Sequence, residues 1–433
     1  MQVTELYKAK LQSADDIAAQ IESGWHVISD TALAAPPGIY SALGTRARDG
    51  KVSGVTMNTF LDIFPMPCYD KALWDNLSGT TFFSGANARA AAAAGAADIM
   101  PTHYRDGPGL ITDYVDVDAY CAVVSPMDKH GYFSTGTSAS LSVALHEKAN
   151  RLYLEVNENM PRALSGPVLH ISQVTALCEN HVPLAELPKV PPDEISETIG
   201  NLIAAEIPDG ATLQLGIGGI PNAVANALRG KRDLGIHTEM LTDGMIDLLE
   251  CGAATNLKKA IHKGRTVATF ALGSKRIYSY IDDNPAVLML PADYVNSPAV
   301  ISQHPNFVSV NAAVEVDFFG QVSAESHGTK HISGSGGQVD YVRGAFESKG
   351  GKSFIAFSST SKGGTVSRIV PILAPGSIVT TLKNEVDHVV TEYGIAKLRG
   401  HTLSKRTKAL IQIAHPKFRD ELTFAAKKQN IIV

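Results

Sequence analysis

The sequence predicts an α/β protein with a mostly parallel sheet in each half of its 433 residues. Three observations predict it. Short β-prone runs alternate with amphipathic or apolar helical stretches along most of the chain, the pattern of βαβ units. Two stretches repeat, AAQIESGWHVISD…PPGIYSAL from Ala18 and AAEIPDGATLQLG…IPNAVANAL from Ala204, at an offset of about 185 residues. Between the copies, residues 178–192 hold Pro183, Pro188, Pro191 and Pro192 and little periodicity. That places a boundary near residues 185–193 and two domains at 1–187 and 193–433.

The elements follow in order. Ser13 with Asp16 three residues on opens a helix over 14–21, which Gly24 stops, and residues 25–28 read as a strand. Pro36 or Pro37 starts the next helix, through Ala42 and Leu43, and 52–57 is another strand. The alanine-rich run 86–97 reads as a helix packed closely on a sheet. Strands at 120–124 and 151–156 flank a turn-rich connection and a helix over 138–149. The second half opens with a helix over 193–207, a turn at Gly210, a strand at 211–215, a helix from Pro221 to about Leu228 and a strand at 234–238. Strands at 266–271 and 286–290 then alternate with helices at 274–280 and 297–303. A long β run spans 307–316, strands at 354–358 and 368–372 surround a Lys362-Gly-Gly turn, and the tail forms two helices broken at Pro416.

Composition bounds the function. Hydrophobic residues make up 44% and charged ones 19%, an ordinary globular balance. A net charge of −5 gives no general attraction to nucleic acid or to an anionic membrane. Cys68, Cys121, Cys178 and Cys251 form no CxxC pair, which argues against a zinc ribbon and fits a reducing compartment. The N-terminus lacks the apolar core of a signal peptide, and no stretch approaches the ~18 apolar residues of a membrane span. A soluble cytoplasmic protein is expected.

The stretch from 211 to 244 carries the strongest chemical signal. A β run ends in Gly216, Gly218 and Gly219, a helix follows, and a short strand then delivers Glu239. A glycine turn leading into a helix offers free N–H groups and a positive dipole end to an anion, at the sheet edge where open α/β folds bind ligands. Two readings of Glu239 compete. It follows Gly218 by 21 positions, the place of a ribose-binding carboxylate in a dinucleotide unit, but GIGGIP puts Pro221 where the fingerprint needs its third glycine. Alternatively, a glutamate is already ionised at neutral pH and can attack a thioester carbonyl if main-chain amides hold the oxyanion. The first copy has Thr31-Ala-Leu-Ala-Ala-Pro-Pro instead of the glycine turn, and residues 58–62 offer no matching glutamate. If the copies are duplicates, the second kept the site and the first became its partner wall.

Other chemistry is weaker. No GxSxG elbow exists, and Ser335 in Ser-Gly-Ser-Gly-Gly is out of register with it. His327 and His331 are four apart, but Gly328 and Thr329 oppose a helix and no third ligand suggests itself, so no metal is expected. Lys258, Lys259, His262 and Lys263 read as a solvated helix face that could meet a nucleotide phosphate.

LQLGIGGIP, GIHTEMLTDG, NAAVEVDFFGQV, ISGSGGQVDYVRGA and VVTEYGIA together closely resemble the acetyl-CoA hydrolase/transferase family of class I CoA-transferases. The likeness is nearest to the 4-hydroxybutyrate and butyrate CoA-transferase branch with its itaconate-using relatives. SPMDKHGYFSTG and EVNENMP are similar too, and the match fades over 62–118. The resemblance implies two similar open α/β domains with the active site between them, and a homodimer. It implies that Glu239 is acylated and then carries CoA as a thioester. Gly216, Ile217, Gly218, Gly219 and Ile220 would line the CoA site, with Gly336, Gly337, Val314 and Lys362 as further contacts. Acyl-CoA and small carboxylates would be substrates, with no tightly bound cofactor, and residues 62–118 would help form the acyl pocket. The expected activity is a ping-pong transfer of CoA among acids of the 4-hydroxybutyrate, butyrate, acetate, itaconate or succinate class. An acyl-CoA hydrolase using the same glutamate is the neighbouring alternative. An NAD-dependent oxidoreductase and a non-catalytic acyl-CoA-binding protein are the remote ones.

Overall fold

A computed structural model describes residues 2–188 and 191–433. Packing divides the chain into two compact units. The first is Met1–Pro188 with Glu239–Leu241 and Val267–Val295, and the second is Lys189–Thr238, Thr242–Thr266 and Asn296–Val433. Expectation placed Glu239 in a C-terminal domain; by packing, its short segment belongs with the first unit, because Met240–Leu241 pairs with Phe270–Ala271 there.

The first unit is built on a sheet of β1 His26–Ile28, β2 Val55–Phe60, β3 Leu77–Phe83, β4 Asp98–Ile99, β5 Ala119–Val124, β6 Arg151–Val156 and β7 Ala176–Glu179. Its order is β4-β3-β2-β1-β5-β6-β7, and every neighbouring pair is parallel. All six residues of β5 are buried, as a central parallel strand covered on both faces requires. Helix α1, Pro37–Arg48, lays Ile39, Tyr40, Leu43 and Ala47 on this sheet, where they join Ile17, Val27, Val55 and Met57 in one core.

The second unit repeats the plan. Strands β8 Thr212–Leu215, β9 Gly235–Ile236, β10 Phe307–Ala312, β11 Lys352–Ala356, β12 His388–Thr391 and β13 Gly394–Lys397 run in the order β9-β8-β10-β11-β12-β13. Only β13 is antiparallel to its neighbour. The run β9-β8-β10-β11-β12 matches β2-β1-β5-β6-β7 strand for strand. The glycines that the repeat aligns, Gly24 and Gly210, both take a left-handed conformation, with φ of 81° and 77°. Helix α2, Glu194–Ala205, meets α3, Gly219–Ala227, so closely that a Cβ at Gly200 would lie 2.7 Å from the backbone of Ala223.

Several expected bounds shift for physical reasons. The strand expected at 52–57 begins at Val55, after Gly54 turns with φ of 64°. The run 307–316 breaks after Ala312, and Glu315–Asp317 leaves the sheet to pair with Val322–Ser323 and Ile369–Val370. The strand at 266–271 is interrupted at Thr269. β3, β7 and β12 were not foreseen. The boundary expected at 185–193 includes Lys189 and Val190, outside the described residues. Residues 185–187 are tied into the first unit, Leu187 N–H to Gly273 O at 3.0 Å and Tyr278 Oη to Ala185 O at 2.7 Å. No helix among the described residues is long and apolar enough to cross a membrane.

Candidate active site

Glu239 is the last of three residues between β9 and Met240–Leu241. Its side chain is half-buried, while Leu241 is fully buried. Its carbonyl oxygen accepts three hydrogen bonds, from Thr269 N–H at 2.9 Å, Phe270 N–H at 3.2 Å and Thr269 Oγ1 at 2.9 Å. Opposite, residues 137–140 run beside the same segment: Ala139 N–H donates to Thr269 O at 2.8 Å and Ala271 N–H to Thr137 O at 2.8 Å.

Beneath this segment lies a buried polar group drawn from four parts of the first unit. Tyr104 Oη donates to Ser140 Oγ at 2.8 Å and shares a second 2.8 Å bond with Thr31 Oγ1. Its ring lies 5.9 Å from that of Phe270. Burial pushes the Tyr104 phenol far up, and the negative charges of Glu239 and Asp30 push it further. Asp30, fully buried, accepts from Ser142 Oγ at 2.6 Å, Leu141 N–H at 3.0 Å and Thr31 N–H at 2.6 Å. Burial raises its carboxyl, and those three donors oppose the rise.

In the second unit, β8 leads straight into the glycine turn. Gly216 N–H continues the ladder to Val310 O at 3.0 Å, and Gly218, with φ of 118°, caps α3 in a conformation that other residues resist. Gly218 and Ile217 are exposed, Ile217 by 52% despite its apolar side chain. Pro221 lies two residues inside the helix rather than at its first position. As at every helix N-terminus, the amides of Gly219 and Ile220 precede the helix's own ladder, which begins with Asn222 N–H to Gly218 O at 3.2 Å, and Pro221 adds no N–H.

The neighbouring strand end brings the other expected contacts to this edge. Val314 follows β10, its N–H bonded to Ser323 O at 2.8 Å. Gly336, with φ of 54°, and Gly337 precede helix α4, Gln338–Glu347. Gln338 Nε2 donates to Ala312 O at 2.8 Å, which fixes the start of α4 at the carboxyl end of β10. Gly216, Val314, Gly336 and Gly337 thus gather where β8 and β10 diverge, the crevice in which open α/β sheets bind ligands. Lys362 is exposed, with φ of 48°, at the tip of the Thr360–Ser361 and Val366–Ser367 hairpin that follows β11.

One sequence reading changes. Lys259 does not lie on a solvated helix face: it is 1% exposed, outside any helix, and its Nζ donates to Ile236 O at 2.8 Å and Arg265 O at 2.7 Å. Burial pulls its pKa down to about 7. His327 and His331 lie on opposite strands of a two-residue hairpin, and His327 Nδ1 is 3.5 Å from Glu315. No three His, Cys, Asp or Glu side chains among the described residues could hold a metal ion. Asp30, Thr31, Tyr104, Ser140 and Thr269 had no motif to announce them, since common residue types at scattered positions acquire meaning only when folded together.

Comparison with known proteins agrees along the whole chain. The model of the acetyl-CoA hydrolase/transferase N-terminal domain matches residues 1–187, and that of the C-terminal domain matches 273–426. The chain is 44% identical to the succinyl-CoA:cyclohexane-1-carboxylate CoA transferase of Geobacter metallireducens, covering 98% of this chain and 97% of that one. It is 42% identical to the 4-hydroxybutyrate coenzyme A transferase of Clostridium kluyveri, over 99% and 100%. The crystal structure of RipA from Yersinia pestis superposes with a TM-score of 0.95 at 38% identity, covering 100% of both chains.

Proposed function

The chain belongs to the acetyl-CoA hydrolase/transferase family and is a CoA-transferase, and we propose that it moves CoA between short-chain carboxylates through a covalent Glu239 intermediate. The observation that carries this reading is Glu239 itself: a half-buried carboxylate on a backbone whose carbonyl is held by three donors. A carboxylate needs no activating base at neutral pH. It attacks the acyl-CoA carbonyl, the C–S bond breaks, and CoA leaves as thiolate from an acyl-glutamyl anhydride. The thiolate then attacks the glutamyl carbonyl, releasing the first acid and leaving a glutamyl-CoA thioester. A second carboxylate attacks that thioester, and the steps run in reverse to give the new acyl-CoA. Each step exchanges one acyl bond for another, so no ATP or redox partner enters the balance.

Gly216, Ile217, Gly218, Gly219 and Ile220, with Val314, Gly336, Gly337 and Lys362, are assigned to CoA. The support is the convergence of the glycine turns and Val314 on one sheet edge and the helix N-terminus there, suited to phosphate, while Lys362 rests on family likeness. Binding energy from the nucleotide end can be used at the reacting carbon. By descent the chain is read as domains at 1–187 and 193–433. The acids are of the 4-hydroxybutyrate, butyrate, acetate, succinate or itaconate class. Itaconate use and a homodimer rest on family likeness alone, and cytoplasmic residence on the cysteine pattern and the N-terminal sequence.

Incubation with acyl-CoA followed by borohydride tests the reading, with peptide mass spectrometry to locate the label. Modification is expected at Glu239, and Glu239→Ala is expected to lose on the order of 10³-fold or more in kcat. Full transfer by Glu239→Ala sinks the proposal. Fixed acetyl-CoA or succinyl-CoA with a panel of acids then identifies the acceptor, and acyl-CoA consumption without an acceptor marks hydrolysis instead.

A further inference from the structure

Glu239 can act as a nucleophile only if its carboxylate is delivered to one place, and a three-residue step between strands is a poor anchor by itself. The anchoring comes from elsewhere in the first unit. Thr269 interrupts the strand expected at 266–271: Thr266–Ala268 pairs with Val287–Met289, and Phe270–Ala271 turns to pair with Met240–Leu241. At the break, the N–H and the hydroxyl of Thr269 both converge on the Glu239 carbonyl, each at 2.9 Å. With Phe270 N–H, three donors meet an oxygen that has two lone pairs, so the plane of the 239–240 peptide has little freedom.

Thr269 is itself gripped. Its carbonyl accepts from Ala139 N–H at 2.8 Å and Ser140 Oγ at 3.4 Å. Ser140 Oγ receives Tyr104 Oη at 2.8 Å and Ser138 Oγ at 3.3 Å. The far end of the same loop is fixed by Asp30, which takes Leu141 N–H and Ser142 Oγ on one oxygen. Thr31, whose N–H bonds the other Asp30 oxygen, returns to Tyr104 through its hydroxyl. Asp30, Thr31, Ser138, Ser140 and Thr269 are at most 1% exposed, and Tyr104 is 5% exposed. The result is a continuous, water-excluded run of hydrogen bonds from the end of β1 to the backbone of Glu239.

We propose that Thr269 is a positioning residue for the nucleophile, and that the loop 137–142, pinned by Asp30 and braced by Tyr104, is the platform that holds it. This inference rests on the nucleophilic reading of Glu239. None of these residues belongs to the CoA edge of the second unit, so their loss acts on the chemical step rather than on CoA binding. A small misplacement of a reacting group is enough to cost on the order of 10²-fold in rate.

The test compares Thr269→Val, which keeps the shape and removes the hydroxyl, with Thr269→Ser, which keeps the hydroxyl. Both are assayed in the full chain at a temperature where thermal melts show the protein folded. Thr269→Val is expected to lower kcat about 10- to 100-fold while KM for acyl-CoA stays within about threefold, and Thr269→Ser to recover most of the loss. A merely structural threonine would lower Tm and leave kcat per folded molecule unchanged. Wild-type kcat in Thr269→Val overturns the proposal, as does an equal loss in Thr269→Ser. Should Thr269→Val fail to fold, Tyr104→Phe removes one brace and keeps the ring. A lowered kcat at constant KM supports the platform there, and an unchanged kcat overturns it. Glu239→Ala, run in parallel, separates the two levels. If it is inactive while Thr269→Val is normal, positioning alone fails. If it is active, the nucleophile assignment falls and this inference falls with it.

Discussion

The ends of β1 and β8 occupy the same place in two sheets of the same strand order, and they have been put to opposite uses. After β1 come Asp30, Thr31 and a short 3-10 turn, Ala32–Ala34, all buried. After β8 come Gly216, exposed Ile217 and Gly218, then a helix whose N-cap makes no side-chain hydrogen bond. Each turn lies where its sheet's order reverses, the position that topology makes a crevice. Topology therefore offers two sites, and the residues in the turn decide which one stays open. Side chains fill the first and a carboxylate satisfies its donors from within. Bare backbone leaves the second open, where we propose that CoA binds.

The largest way to break that comparison is to empty the filled turn. Asp30→Ala leaves Leu141 N–H and Thr31 N–H without their acceptor and Ser142 Oγ with only Ser138 O at 3.5 Å, all of them buried. Each unsatisfied buried donor costs about 1–3 kcal/mol, so a loss of about 3 kcal/mol or more is expected. Denaturant titration of the full chain measures it. A loss under about 1 kcal/mol would show that the turn is held by packing instead.

The second unit treats its own buried charge differently, which gives the next contrast. Lys259 has two carbonyl acceptors where Asp30 has three donors, and burial brings its pKa to about 7. In the unfolded chain a lysine releases its proton near 10.4. Between those values the unfolded state binds more protons than the folded one, so stability rises with pH across that window. Below about pH 7 the folded state carries the full burden of a buried ammonium. The wild type is expected to gain about 2 kcal/mol between pH 7 and pH 9 relative to Lys259→Met, read as a divergence in Tm. Parallel curves would mean that the lysine keeps its proton throughout.

How much of this was legible in the sequence follows from where each signal resides. The glycine turn and the two aligned halves could be read because glycines, prolines and apolar periodicity act locally. Gly24 and Gly210 carry the repeat in their own φ angles. The edge formed by Gly216, Val314 and Gly336 was accessible only through family likeness, since about a hundred residues separate Gly216 from the other two. The platform under Glu239 could not be read at all. Thr269 looks like one more β-prone residue inside VATFA, and its role depends on a break in that strand which packing alone imposes. Lys259 misled for the same reason: among Lys258, His262 and Lys263 it looks solvated, yet it points inward to two carbonyls.

The smallest effects come from exchanging one backbone feature between the two turns. Gly218 has φ of 118° and no atom within 4 Å of where a Cβ would stand, so Gly218→Ala introduces strain without a clash. A cost of about 1–2 kcal/mol is expected from the backbone alone, together with a raised KM for acyl-CoA. Gly216→Ala serves as the control for backbone strain, since its Cβ would meet Val310 O at 3.4 Å and Pro221 Cγ at 3.9 Å, and φ there is unexceptional. The reciprocal change is Ala32→Gly, because Ala32 already holds a left-handed φ of 56°. Relief of that strain favours glycine by about 1–2 kcal/mol. Greater freedom of the unfolded chain removes about 0.5–1 kcal/mol of the gain, and the lost burial of one methyl group removes about as much again. The three contributions nearly cancel, so Ala32→Gly should shift stability by no more than about 0.5 kcal/mol. A calorimetric loss well above that would show that the Ala32 methyl is a packing element of the filled turn, and that the first crevice is closed by fit as well as by charge.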